Sequence, residues 1–277
     1  RLPILPPEQF AKLQKELPGE VFTTRTLATY SYELNNKKAP FDNVNVRKAL
    51  NLSLDRNVIT DKVLGQGQTP TYVFTPTYIE EGHLIQQPAY SKEPMAQRNE
   101  EAIKLLEEAG YSKANPLKFS ILYNTNENHK KVAIAAASMW KANTKGLIDV
   151  KLENQEWKTY IDSRRAGRYD AARAGWNADY NQATTFGNYF LSNSSNNTAK
   201  YANPEYDKAI AESYVATDAE GRAKAYAKAE EILAKDFGIV PIFNYVNPRL
   251  VKPYVKGYSG KDPQDHIYLR NLYIIKH

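Results

Sequence analysis

LKFSILYN (117–124), HKKVAIAAASMWKAN (129–143), IDVKLEN (148–154), EWKTYIDSRRAG (156–167) and YDAARAGW (169–176) follow one another almost without a gap. The first, third and fifth are short and carry β-branched or aromatic residues, as strands do. The second and fourth have helical length and spacing. Strand and helix in strict turn imply βαβ units and a substantially parallel sheet. The chain reads as α/β.

On the amino-terminal side, PPEQFAKLQKEL (6–17) has Pro where a first turn tolerates it and Phe10, Leu13 and Leu17 at helical spacing. VFTTRTLATYSYEL (21–34) has strand composition. PFDNVNVRKALNLSLDRNVITDKVL (40–64) reads as a turn, a capping Asp or Asn, and a long helix. A Gly-, Pro- and Thr-rich surface excursion follows from Gly65 to about Pro94, then a helix over 98–109 closed by Gly110. On the carboxyl-terminal side, helices are expected over 204–216 and 218–236. Two strands, 239–246 and 249–258, are expected to be separated by Asn247–Pro248. No internal repeat stands out.

A chain of 277 residues, 42% of them apolar, buries enough surface to fold without a metal or disulfide, and no cofactor is expected. No run of about 18 apolar residues crosses a membrane, and no leader opens the chain. A start at Arg1 running directly into a helix reads as a processed or truncated product. The absence of cysteine excludes thiolate catalysis and Cys-ligated zinc, but not an oxidising compartment. The net charge of +6 does not point to nucleic acid, because Lys and Arg are interleaved with acids, as in RNEEAIKLLEEAG (98–110). RRAGR (164–168) is the single tight basic cluster. Twenty tyrosines and three tryptophans suit a recognition surface, although any one tyrosine is more simply a core or sheet residue.

Enzyme motifs are scarce. LGQGQTP (64–70) has Thr69 and Pro70 where a phosphate loop needs a helix, and so is a turn. His83, His129, His266 and His277 form no pair at helix spacing to hold a metal. Neither a GxSxG elbow nor a Walker-A loop occurs. The chain reads as a non-enzyme.

AARAGWNADYNQATTF (171–186) is more informative. A strand ends near Trp176 and continues into a polar loop with Asp179, and ligands of open α/β sheets bind at the carboxyl ends of strands. A carboxylate there suits an ammonium group. Arg173 on the same strand and Arg164 on the preceding helix could take the other end of a zwitterion such as a peptide. On spacing alone, a loop-capping Asp179 and an internal salt bridge for Arg173 are the simpler readings.

PFDNVNVRKALNLSLDR (40–56), QEWKTYIDSRRAGRYDAARAGWNADYN (155–181), LSNSSNNTA (191–199) and IVPIFNYVNPRLVKPYVKGYSGKDPQD (239–265) resemble the oligopeptide-binding proteins of bacterial peptide ABC transporters. The likeness covers essentially the whole chain. It implies a periplasmic-binding-protein-like lobe with a mixed, largely parallel sheet, plus strands and a helix of a second lobe. Residues 28–246 are expected to form the carboxyl-terminal ligand-binding lobe. Residues 1–27 and 247–277 would belong to the other large lobe, with hinge crossings near Ala28 and Val246. A missing amino-terminal half would supply the rest.

The implied function is extracytoplasmic, periplasmic or lipid-anchored, capture of short peptides with little side-chain selectivity for a membrane-embedded ABC permease. Asp179 would take the peptide's amino terminus, and Arg173, Arg164 and His129 its carboxylate at different peptide lengths. The backbone at Gly175 and Asn177 would pair with the peptide as an added strand. Trp157, Trp176 and Tyr245 would wall roomy pockets, with Glu33, Asn124 and Asn196 as polar lining. Two departures stand out: Ala28 and Asn177 occupy the positions of a cysteine pair in the relative, and Leu64 that of a carboxylate-binding lysine. Competing readings are the same fold with another cargo, such as murein peptide, glutathione or haem, and a peptide-processing enzyme.

Overall fold

A computed structural model describes residues 7–276. The helix expected over 6–17 is α1 (Pro7–Glu16), with residue 6 outside the described range. It is followed by β1 (Val21–Leu34), α2 (Val44–Leu52), a π-helix (Val58–Leu64), β2 (Thr69–Pro70) and α3 (Met95–Glu108). The alternating middle is β3 (Leu117–Asn124), α4 (Glu127–Asn143), β4 (Ile148–Gln155), α5 (Trp157–Arg165) and β5 (Ala171–Asn177). Then come α6 (Thr184–Gly187), α7 (Pro204–Val215), α8 (Ala219–Lys235), β6 (Ile239–Leu250), β7 (Val255–Lys256) and β8 (Tyr273–Ile274).

Helix starts follow from local chemistry. Asn126 accepts from the amides of Asn128 and His129 to open α4, and Asp218 accepts from Gly221 to open α8. Asn203 caps α7 with Pro204 in its first turn.

The main sheet is mixed, in the order β2-β6-β1-β5-β3-β4. β3 runs parallel to β4 and β5, as the βαβ reading requires, while β1, β2 and β6 join in antiparallel fashion. Successive residues of β1 face opposite sides. Tyr30, Tyr32 and Leu34 enter one core with Leu50, Val132, Trp140 and Phe243. On the other side Leu27 and Ile239 join Phe74, Phe186, Tyr189, Phe190, Tyr206 and Leu233. Both faces are therefore covered, giving three layers.

Besides the stretch 65–94, which is not a surface excursion but buries Thr71, Val73, Phe74, Thr75, Ile79 and Ile85, two expectations are corrected. The long helix over 40–64 is broken at Ser53–Asp55, because the Arg56 guanidinium turns inward and donates to the carbonyls of Asn51, Leu54, Thr71 and Pro241. Arg47 likewise binds the carbonyls of Phe41, Asp236 and Phe237. Both arginines of the 40–56 stretch thus satisfy backbone acceptors that burial would otherwise orphan. The second correction is that no break occurs at Asn247–Pro248. β6 runs through both residues, with Thr23 opposite Pro248. A proline is tolerated there because β2 pairs only with Phe243 and Asn244, leaving the outer edge of β6 free farther along.

Candidate functional site

The ladder between β1 and β5 extends from Leu34↔Ala171 to Ala28↔Asn177. On its other side β5 meets β3 only at Ala171 and Ala172, so its edge from Arg173 to Asn177 lacks a strand partner among the described residues. At the ends of the ladder the amide of Asn35 donates to the carbonyl of Asp170 and that of Ala178 to the carbonyl of Leu27. Alternation then directs the backbone groups of Ala172, Ala174 and Trp176 toward β1, and those of Arg173, Gly175 and Asn177 toward the open edge. The carbonyl of Arg173 is taken there by the Tyr160 hydroxyl. Gly175 and Asn177 present an N–H and a C=O each to whatever lies alongside.

Asp179 lies just beyond β5, exposed and, among the described residues, with no cation as a hydrogen-bond or ion-pair partner. Its nearest carboxylate contact is a 3.4 Å hydrogen bond from the Thr185 hydroxyl. It caps no helix: α6 is preceded by Ala183.

At the other end of the open edge is Arg173, half-buried. Its guanidinium donates to the Tyr245 hydroxyl at 2.5 Å and sits 5.1 Å from the centre of the Tyr30 ring. No carboxylate pairs with it among the described residues, and its Nε has no partner. The internal salt bridge falls instead to Arg164, whose guanidinium donates to Glu33 at 2.8 Å and also meets Tyr189 and Thr198. Glu33 is fully buried and further bound by the hydroxyls of Tyr189 and Thr198.

His129, in the first turn of α4, packs 5.5 Å from the Tyr30 ring. Burial, with the Arg173 charge adding to it, pulls its pKa down to about 3. Its Nδ1, the Tyr30 hydroxyl and Arg173 Nε are buried without partners among the described residues. Orphaned polar groups are costly, so a cluster of them beside an open strand edge marks a place for a polar guest or water.

The remaining expected residues divide between the two faces of the sheet. Trp176 packs on Tyr189 (4.9 Å between rings) and donates to Thr185 at 3.2 Å, on the same face as Glu33 and Arg164. Tyr245 lies on the face of Arg173 and His129, against Tyr30 and Phe243. Trp157 is 54% exposed and stacks on Tyr160, so its face is free to meet another surface. Asn124 ends β3, and Asn196 is exposed in the loop before Asn197. Leu64 is buried in the core, where a lysine would need a partner. Ala28 and Asn177 are cross-strand neighbours.

The sequence reading did not single out Tyr30 and Tyr160. The ATYSYEL alternation (28–34) puts Tyr30 and Tyr32 on one face, but nothing local shows that the face meets Arg173.

Residues 2–198 match the bacterial extracellular solute-binding proteins, family 5 Middle. The chain is 97% identical over 273 residues to the periplasmic oligopeptide-binding protein OppA of Haemophilus influenzae, covering 99% of this chain and 50% of that protein. This chain belongs to the family 5 solute-binding proteins. Among solved structures, Haemophilus influenzae OppA in complex with RPPGFSPFR superposes with a TM-score of 0.92 at 96% identity, covering 98% of this chain and 53% of that one. The murein tripeptide binding protein MppA of Escherichia coli gives 0.90 at 43% identity, covering 99% and 53%. The chain spans about half the length of the curated relatives it matches. These relatives are named as binding proteins rather than enzymes. Among the described residues no group of three His, Cys, Asp or Glu is placed to hold a metal, and no helix is long and apolar enough to cross a membrane.

Proposed function

We propose that this family 5 chain is the carboxyl-terminal half of a periplasmic receptor that captures short peptides for an ABC importer. One observation carries the reading: among the described residues, an unpaired strand edge has a carboxylate that meets no cation at one end and a guanidinium that meets no acid at the other. A peptide added to that edge gains backbone hydrogen bonds from Gly175 and Asn177 whatever its side chains are. Its ammonium meets Asp179 and its carboxylate meets Arg173, so it runs antiparallel to β5. His129 and the orphaned Tyr30 hydroxyl adjoin the carboxylate end. Arg164 reaches a guest only while remaining bound to Glu33, which makes it a supporting charge behind the pocket. Trp157, Trp176, Tyr245, Asn124 and Asn196 line side-chain pockets, and Glu33 lies beneath them.

In this reading residues 28–246 form the ligand-binding lobe, and 1–27 with 247–277 return to the other one. Leu269 and Ile274, 78% and 68% exposed, are then surfaces for the remainder of the protein to cover. The MppA likeness supports a second cargo reading, murein peptides, which also carry free termini.

The test is Asp179→Asn in a full-length protein. Calorimetry is expected to show at least about tenfold weaker tripeptide binding, or about 1.4 kcal/mol. Unchanged affinity would remove Asp179 from the amine role. Native mass spectrometry of freshly purified protein separates the cargoes, mixed peptides supporting the first and murein fragments the second.

A further inference from the structure

Thr185 meets Asp179 directly, its hydroxyl accepting from the Asp179 amide at 3.2 Å and donating to the carboxylate at 3.4 Å. The loop between β5 and α6 is also held from outside by a neighbouring loop, 76–83. The amide of Ala183 donates to the Glu80 carbonyl at 3.0 Å, and the Glu80 amide to the Asn181 side chain at 3.2 Å. Asn181 in turn donates to the Glu80 carboxylate, and Gln182 to Glu81 Oε2 at 3.0 Å.

Glu81 is the strained member of this pair of loops. Its φ of 64° lies in the left-handed region that side chains with a Cβ disfavour, and such a conformation persists only when its surroundings hold it. A local turn holds its backbone, with the Gly82 amide donating to the Ile79 carbonyl at 2.9 Å, while its carboxylate is held by Arg222, in the first turns of α8, which donates to Glu81 Oε1 from Nε at 2.9 Å and from Nη2 at 2.7 Å. One carboxylate therefore joins helix α8 through one oxygen to the Asp179 loop through the other. Two charged donors on one oxygen anchor that end of the carboxylate and leave Oε2 to Gln182. The same loop reaches β1, where the Tyr78 hydroxyl donates to the Thr26 carbonyl at 2.6 Å.

We infer that Glu81, clamped by Arg222, is a positioning residue that sets the Asp179 carboxylate at the end of the β5 edge. Neither side chain touches the peptide. The inference rests on Asp179 gripping the peptide's ammonium group, and the experiment separates the two claims.

Affinities are measured by calorimetry on a full-length protein for one tripeptide and its N-acetylated form. The ratio of the two isolates amine recognition from the rest of binding. Asp179→Asn is expected to collapse the ratio. Glu81→Gln and Arg222→Met are both expected to lower it by about fivefold, the scale of loosening a supported contact, with the acetylated peptide unaffected. If the pair acted only through its charges, removing the cation would strengthen amine binding and removing the anion would weaken it. Opposite signs, or no change in either variant while Asp179→Asn acts, would overturn the positioning role alone. An unchanged ratio in Asp179→Asn would overturn both claims. Should Glu81→Gln unfold, Arg222→Met decides, because a loss of amine preference supports the clamp and a gain or no change refutes it.

Discussion

Two arginines nine positions apart, Arg164 and Arg173, have opposite surroundings. Arg164 meets a buried acid and two hydroxyls, whereas Arg173 meets a tyrosine hydroxyl and an aromatic face. Replacing Arg164 by Met leaves the Glu33 carboxylate buried and unpaired, so urea unfolding should show a loss of about 3–5 kcal/mol. Arg173→Met abandons no anion and should cost far less stability, while weakening peptides whose carboxylate reaches it. His129 titrates in the same pocket. Its pKa is depressed from 6.5 to about 3 by burial, with Arg173 adding to it. Between those values the unfolded chain holds more protons at this position than the folded one, so stability rises with pH there. The contribution is fully present above about pH 6.5 and is lost as pH falls toward 3. Urea midpoints measured against pH should fall less steeply in acid for His129→Gln than for the parent.

Strand β5 combines a paired edge with a free one, and its glycine is placed where the free edge is most confined. A Cβ on Gly175 would come within 3.0 Å of both Arg173 Nη2 and Tyr245 Oη. Gly175→Ala must push the guanidinium or the phenol aside. Peptide affinity is expected to fall by about tenfold, with little change in thermal midpoint because the displaced groups border open space. A melting curve set beside a binding isotherm checks both parts. Strand and helix types in this region were legible from residue spacing alone. The open edge was not, because it depends on β3 parting from β5 after Leu122 while staying paired with β4 to Asn124.

Across the whole chain, β1 and β6 run continuously from one proposed lobe to the other. Their ladder slips between Arg25 and Thr29, opposite Val246 and Asn244. A bulge there loosens pairing without breaking either strand. Within it the Leu27 amide turns to the Pro263 carbonyl, and Gln264 reaches the Asp179 carbonyl at 3.4 Å. Thus the loop carrying Pro263 and Gln264 touches both the proposed crossing point and the proposed amine site. Hydrogen exchange on a full-length protein should be faster at Leu27 than at Tyr30, and should slow at Leu27 and Ala178 when peptide binds. Equal exchange with and without peptide would show that this slip does not respond to peptide binding.

Sequence alone determined the α/β class, since the period of apolar residues switches between helix and strand values through 117–176. It also placed Asp179 just beyond a strand, because that position follows from local order. Tertiary structure decided which arginine is neutralised, which edge of β5 stays open, and that Pro248 does not end its strand. Those outcomes depend on residues far apart in the chain: Glu33 against Arg164, and β3 against β5. Spacing cannot encode contacts that only packing creates.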